Sequence, residues 1–179
     1  MAQMRQVAKR RIETRVSTAR KPYHYVGAGL PNVWLIGVTY RVDRDTGEQS
    51  ADIPCMPALH NALVVPVLCK ESPLTGDELR FLRKRLGKSS KDFAALIGVT
   101  SEQYSRIENG AVLTPSNDKL IRLICLTIGV FEFLGSLFNP EKLRTKVAET
   151  TWAAEMNHEQ KIIATQDENQ QWVISTKAA

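Results

Sequence analysis

Gly87-Lys88-Ser89-Ser90-Lys91-Asp92-Phe93-Ala94-Ala95-Leu96-Ile97-Gly98-Val99-Thr100-Ser101-Glu102-Gln103-Tyr104-Ser105-Arg106-Ile107-Glu108-Asn109-Gly110 is the stretch that decides the fold. Ser90 can cap a helix with Phe93, Ala94 and Ile97 inward and Gly98 as its stop. Thr100 can cap a second helix with Tyr104 and Ile107 inward, closed by Asn109-Gly110. Gly98 lets the chain pass through a left-handed turn between them. Ala94 is small where the two helices would cross, and Val99 can plug the angle between them.

Working outward, Thr75 and Glu78 have the spacing of a capping box. Leu79, Leu82 and Leu86 then recur on one helical face up to Gly87. Downstream, Ser116 can cap a fourth helix carrying Leu120, Leu123 and Ile124. A fifth is expected from Val130 to Phe138, before Pro140. Upstream, Tyr23–Val26 and Val33–Val42 are β-branched and aromatic, and the polar turn Asp43–Ser50 should join antiparallel strands. Met56–Val65 reads as a short helix ended by Pro66. At the far end Glu141–Met156 reads as helix, and Lys161–Thr165 with Gln171–Ser175 as a hairpin around Asp167-Glu168-Asn169. The expected class is α+β: a basic tail (1–21), a small β-rich module (22–72), a five-helix domain (73–138) and a helix with a hairpin (139–179).

The 179 residues are 43% hydrophobic and 24% charged, which suits a globular chain with a real core. The formal charge of +5 is local. Residues 1–21 hold seven basic residues and one acid, whereas the other 158 hold 17 and 18. Such a tail is more often disordered than a DNA arm. Cys55, Cys69 and Cys125 form no C-x-x-C pair, so neither a disulfide scaffold nor a four-cysteine zinc ribbon is expected, and free thiols suit the cytosol. The apolar run Leu123–Phe138 is short and carries Glu132, which argues against a membrane span. Cys55 and His60 lack an orienting partner and an oxyanion motif. They read as a buried thiol and a partly exposed histidine, and no enzyme is expected.

A helix, a tight turn and a second helix in this register form the pattern whose second helix enters the DNA major groove. A bundle with a solvated polar face is the bland alternative. Phe93-Ala94, Gly98-Val99, Arg106-Ile107-Glu108-Asn109-Gly110 and Pro115-Ser116 together resemble the Xre, or lambda-repressor-like, helix-turn-helix family over roughly residues 75–138. The resemblance implies that Ser101, Glu102, Gln103 and Arg106 face the groove. Arg106 would suit guanine, Gln103 adenine and Glu102 the cytosine amino group. Lys91, Asn109 and Lys88 would hold phosphates. Ser90 stands where the family usually has Gln, and Glu108 would tie the recognition helix to the core.

Tyr23-His24-Tyr25, Gly29-Leu30-Pro31-Asn32-Val33-Trp34-Leu35 and Pro73–Arg83 occur in an order that is similar to the MqsA/YgiT-type antitoxins, as is the ending with Trp172 and Ala178-Ala179. The zinc-ribbon cysteine pairs of that family are missing, so no metal or cofactor is implied. This resemblance implies an antitoxin that represses its own operon, with a small ribonuclease-type toxin as partner; the Xre resemblance implies a homodimer on a palindromic operator in double-stranded DNA. The aromatics Tyr23, Tyr25 and Trp34 are candidate toxin contacts, although Trp34 between Val33 and Leu35 favours the core. Val130–Phe138 and the terminal hairpin are candidate dimer surfaces. The alternatives are a stand-alone repressor and a protein-interaction module reusing the fold.

Overall fold

A computed structural model describes residues 11–129 and 160–178. The chain begins with β1 (Ile12–Val16), β2 (Tyr23–His24), β3 (Val33–Ile36), β4 (Thr39–Asp43) and β5 (Gln49–Asp52). Helices α1 (Met56–Cys69), α2 (Gly76–Arg85), α3 (Ser90–Leu96), α4 (Ser101–Glu108) and α5 (Pro115–Gly129) follow, then β6 (Gln160–Gln166) and β7 (Trp172–Ala178). The expected helices over Val130–Phe138 and Glu141–Met156 lie outside the described residues.

The strands form two sheets, in the orders β1-β4-β5 and β2-β3-β6-β7. The run 33–42 is not one strand. Gly37, at φ 85°, breaks it, so β3 and β4 enter different sheets. The segment read as a tail supplies β1, which pairs antiparallel with all of β4. Its alternation of Ile12, Thr14 and Val16 with Glu13 and Arg15 has the period of a strand, masked in the sequence by the surrounding charge. The terminal hairpin forms as expected, but β6 also pairs parallel to β3, with Val33 opposite Ile162 and Leu35 opposite Ala164. The β-rich module and the C-terminal extension therefore share one sheet. The helical domain is inserted between its strands.

Helix α1 continues through Pro66 to Cys69 instead of stopping. A proline inside a helix costs about 3 kcal/mol, and each buried aliphatic side chain returns about 1.5–3 kcal/mol. Pro66, Val67 and Leu68 are all buried, so burial wins. One hydrophobic cluster runs from Tyr25, Val33, Leu35 and Ile162 through Leu59, Leu63 and Val67 of α1 to Leu79, Phe93, Tyr104 and Ile121. In α5 the inward face is Ile121, Cys125 and Leu126, whereas Leu120 and Leu123 are exposed, contrary to expectation.

A buried polar hub fixes α1 to the helical domain. The Arg122 guanidinium is fully buried and donates to the carbonyls of Leu68 and Lys70, each at 2.7 Å, and of Ser72 at 2.8 Å. Asp118, one turn earlier, accepts from Arg122 Nε at 2.5 Å and from the Leu74 N–H at 2.7 Å. Lys70 Nζ lies 2.5 Å from a Glu78 carboxylate oxygen that also accepts the Thr75 N–H at 2.7 Å. Five backbone groups of the connector 68–75, three carbonyls and two N–H groups, are thus satisfied by side chains of α2 and α5.

Candidate nucleic-acid interface

The two helices of the motif are set by their caps. Thr100 and Gln103 form a full capping box: Thr100 Oγ1 accepts the Gln103 N–H at 3.2 Å, and Gln103 Oε1 accepts the Thr100 N–H at 3.1 Å. Thr75 and Glu78 do the same for α2. The cap of α3 is Ser89, not Ser90; its Oγ accepts the Asp92 N–H at 3.1 Å. The cap role before α5 falls to Thr114, whose Oγ1 accepts the Asn117 N–H, rather than to Ser116. In both cases the hydroxyl one or two residues earlier has the extended backbone or the place before Pro115 that a cap needs.

Gly98, at φ 72°, makes the turn between α3 and α4, and the Val99 N–H donates to the Ala94 carbonyl at 3.1 Å. Ala94 and Phe93 are buried, and the Phe93 and Tyr104 rings lie 5.4 Å apart across the helix pair. Burial first, and then the negative charge of Glu108, raises the Tyr104 pKa, so its phenol stays neutral.

Helix α4 is pinned to α2 from behind. Arg83 grips Glu108 at two points, Nε to Oε1 at 2.8 Å and Nη2 to Oε2 at 3.3 Å. Arg83 Nη1 also donates to the Lys88 carbonyl at 3.1 Å, and Arg80 Nη2 to the Glu108 carbonyl at 3.0 Å. The start of α2 comes so close to the end of α4 that a Cβ on Gly76 would sit 2.3 Å from the Glu108 carbonyl oxygen. The structural role expected of Glu108 is therefore explicit. Its partners Arg80, Arg83 and Gly76 were not legible, because no local spacing links α2 to α4.

The outer face of α4 carries Ser101, Glu102, Gln103, Ser105 and Arg106, all exposed. Ser105, one turn after Ser101, belongs to this face and was missed; the i, i+4 spacing was the available signal. Its members are not equally free. The Gln103 carbonyl oxygen is engaged in the cap, leaving its amide N–H groups to reach outward. Ser101 Oγ donates to Glu102 at 3.3 Å. The Glu102 pKa is lowered by its own backbone N–H, then by Thr100 and Ser101, then by the charge of Arg106, so it acts as an acceptor at neutral pH. Arg106 makes no ion pair or side-chain hydrogen bond among the described residues. Lys88 and Lys91 are exposed at the start of α3, with Ser90 half-buried beside them. Asn109 ends α4, and its Nδ2 donates to the Ser105 carbonyl at 2.8 Å. Residues 75–129 hold nine Lys or Arg against six Asp or Glu, a balance suited to a polyanion.

Other expectations fare differently. Tyr25 is buried and its hydroxyl lies 2.7 Å from His60 Nε2, so it is not a free aromatic. Trp34 is half-exposed rather than interior; His24 stacks on it at 4.5 Å and Lys161 Nζ lies 4.4 Å above it. Cys55, read as a buried thiol, is exposed. Among the described residues no helix is long and apolar enough to cross a membrane.

A family model described as helix-turn-helix matches residues 79–127, from within α2 to the last turn of α5. No curated protein and no solved structure matches the chain. The chain therefore carries an Xre-type helix-turn-helix domain over residues 79–127.

Proposed function

We propose that this protein is a sequence-specific transcriptional repressor that binds a palindromic operator as a homodimer, with α4 in the major groove. One observation carries the reading. The polar face of α4, with Glu102 and Arg106 free of the core, is held outward by a buried ion pair and the helix's own capping box. A rigid helix bearing a donor fork and a fixed acceptor is what base readout needs. Ser101, Gln103 and Ser105 complete the base-facing set. Ser90, Lys91 and Asn109 hold the flanking phosphates.

The resemblance to MqsA/YgiT-type antitoxins supports a finer reading, in which the regulated operon is the protein's own and encodes a toxin. A stand-alone repressor is the second reading, and the burial of Tyr25 favours it, because half of the expected toxin-facing aromatic pair is internal. Selection of bound sequences from random duplex DNA tests the main reading. A two-fold symmetric site with half-sites about 10–10.5 bp apart, or a multiple, is expected. The absence of any enriched sequence refutes sequence-specific regulation. Purification of the intact protein from its host, with a stoichiometric small ribonuclease in the eluate, separates antitoxin from stand-alone repressor.

A further inference from the structure

Strand β1 is the outer strand of its sheet, with β4 on one side and no strand on the other among the described residues. The register decides which backbone groups face outward. Arg44 N–H donates to the Arg11 carbonyl and Ser17 N–H to the Val38 carbonyl, both at 2.9 Å, on either side of the pairing of Glu13 with Val42 and Arg15 with Tyr40. Odd-numbered residues therefore bond to β4. The N–H and C=O groups of Ile12, Thr14 and Val16 point away from it.

An open edge of this kind is normally blunted by charge, proline or a bulge. Here Ile12 and Val16 are 58% and 59% exposed on one face, and the strand has no proline. Its side chains are also self-complementary. In an antiparallel pair centred on Thr14, Ile12 falls opposite Val16 of a second copy and Glu13 opposite that copy's Arg15. The same contacts recur in reverse, as a two-fold axis requires. The hydrogen-bonding phase fits as well: Thr14 meets Thr14, and Ile12 meets Val16, as bonded pairs built from the groups that face outward. On the other face Glu13 already accepts from Arg15 of its own strand at 3.0 Å and from Arg44 at 2.9 Å, and a second copy would bring its own Glu13–Arg15 pair alongside in the opposite sense, so that acid meets arginine across the axis and no like charges are opposed.

The other outer edges among the described strands lack this pattern, and β2 is only two residues long. Pairing β7 with itself about Ser175 would set Val173 against Lys177, with no acid to meet the lysine. The outer strand β5 holds no cation at all.

We infer that β1 is a homodimerisation strand, joining two copies edge to edge into one six-stranded antiparallel sheet in the order β5-β4-β1-β1-β4-β5. The inference rests on the dimeric reading above only for its link to operator binding. The surface itself lies outside α3 and α4, in a sheet that the helix-turn-helix match does not reach.

The test is sedimentation equilibrium of the full chain, with far-UV circular dichroism as the control for folding. The wild type should associate to a dimer at micromolar concentration. Thr14→Pro removes an outward N–H that β4 does not use, which an edge strand tolerates. It should weaken dimerisation by roughly tenfold or more. Should that variant fail to fold, charge reversal decides. Arg15→Glu alone and Glu13→Arg alone should each be monomeric, because like charges then face each other across the axis. Mixed in equal amounts, the two should form heterodimers, since each acid again meets an arginine. Binding of one operator half-site should be unchanged in all three, so loss of the strand contact is distinguishable from loss of groove reading. A monomeric wild type, Thr14→Pro that folds and dimerises normally, or a mixture that associates no better than its components would each overturn the assignment.

Discussion

Arg83 and Glu108 face each other across α2 and α4 as a two-point ion pair, 2.8 Å and 3.3 Å long, with side chains 14% and 8% exposed. The pair joins the first helix of the domain to the last turn of the helix that presents the polar face. Its removal should affect stability and DNA binding together. Taking one partner from a buried pair leaves the other charge uncompensated and costs about 3–5 kcal/mol. Glu108→Ala should lose that order of stability in urea unfolding. Its residual folded fraction should bind all operator variants more weakly, with no change in base preference.

Arg106 and Lys91 should separate in the opposite way. Arg106→Ala is expected to cost about 1–3 kcal/mol at one base position and to relax preference there. Lys91→Ala should weaken every sequence alike and lower the salt slope by about one. Titration of operator variants at several salt concentrations distinguishes the two. Unchanged specificity in Arg106→Ala would remove α4 from the groove.

Gly76 and Gly87 offer a contrast in what a methyl group meets. At Gly76 an added Cβ would overlap the Glu108 backbone carbonyl, which cannot swing aside like a side chain. Gly76→Ala should cost about 1–3 kcal/mol through displacement of α4, and lower DNA affinity as well. Gly87 has φ 62° and open space around its Cβ position. Gly87→Ala should cost about 1–2 kcal/mol from the left-handed backbone alone, with affinity per folded molecule unchanged. Equal losses of affinity in the two variants would contradict this distinction.

His60 should make stability fall in mild acid. Its pKa is lowered from 6.5, first by burial and then by the positive charge of Arg85. The neutral ring is thus favoured in the fold, and the unfolded chain binds the proton more readily. Stability is complete above pH 6.5 and declines as pH drops from there toward the lowered value. A neutral ring can accept the Tyr25 hydroxyl; a protonated one cannot. Thermal melts between neutral and mildly acid pH should show this slope in the wild type and a shallower one in His60→Gln.

Much of the helical domain was legible because its signals are local. Thr75 and Glu78 meet within one turn, so their spacing alone announces that cap, and Thr100 just before its helix announces the next. Gly98 turns the chain because its own φ requires it. Neighbouring serines, as at Ser89 and Ser90, carry the same hydroxyl, and only the backbone conformation chooses between them. The face of α5 was misjudged for another reason. Buried Arg122 and Asp118 look like surface residues until the carbonyls of Leu68, Lys70 and Ser72 are placed beside them. Pairing of β3 with β6 was illegible on the same ground, since nothing near Val33 names Ile162 as its neighbour. In the candidate interface the exposed face of α4 could be read from helical period. The division of labour within it, with Gln103 half committed to the cap, could not.

The parallel pairing of β3 with β6 also sets an order of events during synthesis. A ribosome adds about 5–20 residues each second, and domains fold as their chains emerge. Helices α2 to α5 and the connector that follows α1 are all translated before β6. Strand β3 does not; its second neighbour comes more than a hundred residues later. For several seconds the nascent protein would hold a finished recognition helix beside an unfinished sheet. A message cut short before residue 160 would release a chain with β3 bare along one side, an adhesive edge that proteolysis or a chaperone must deal with.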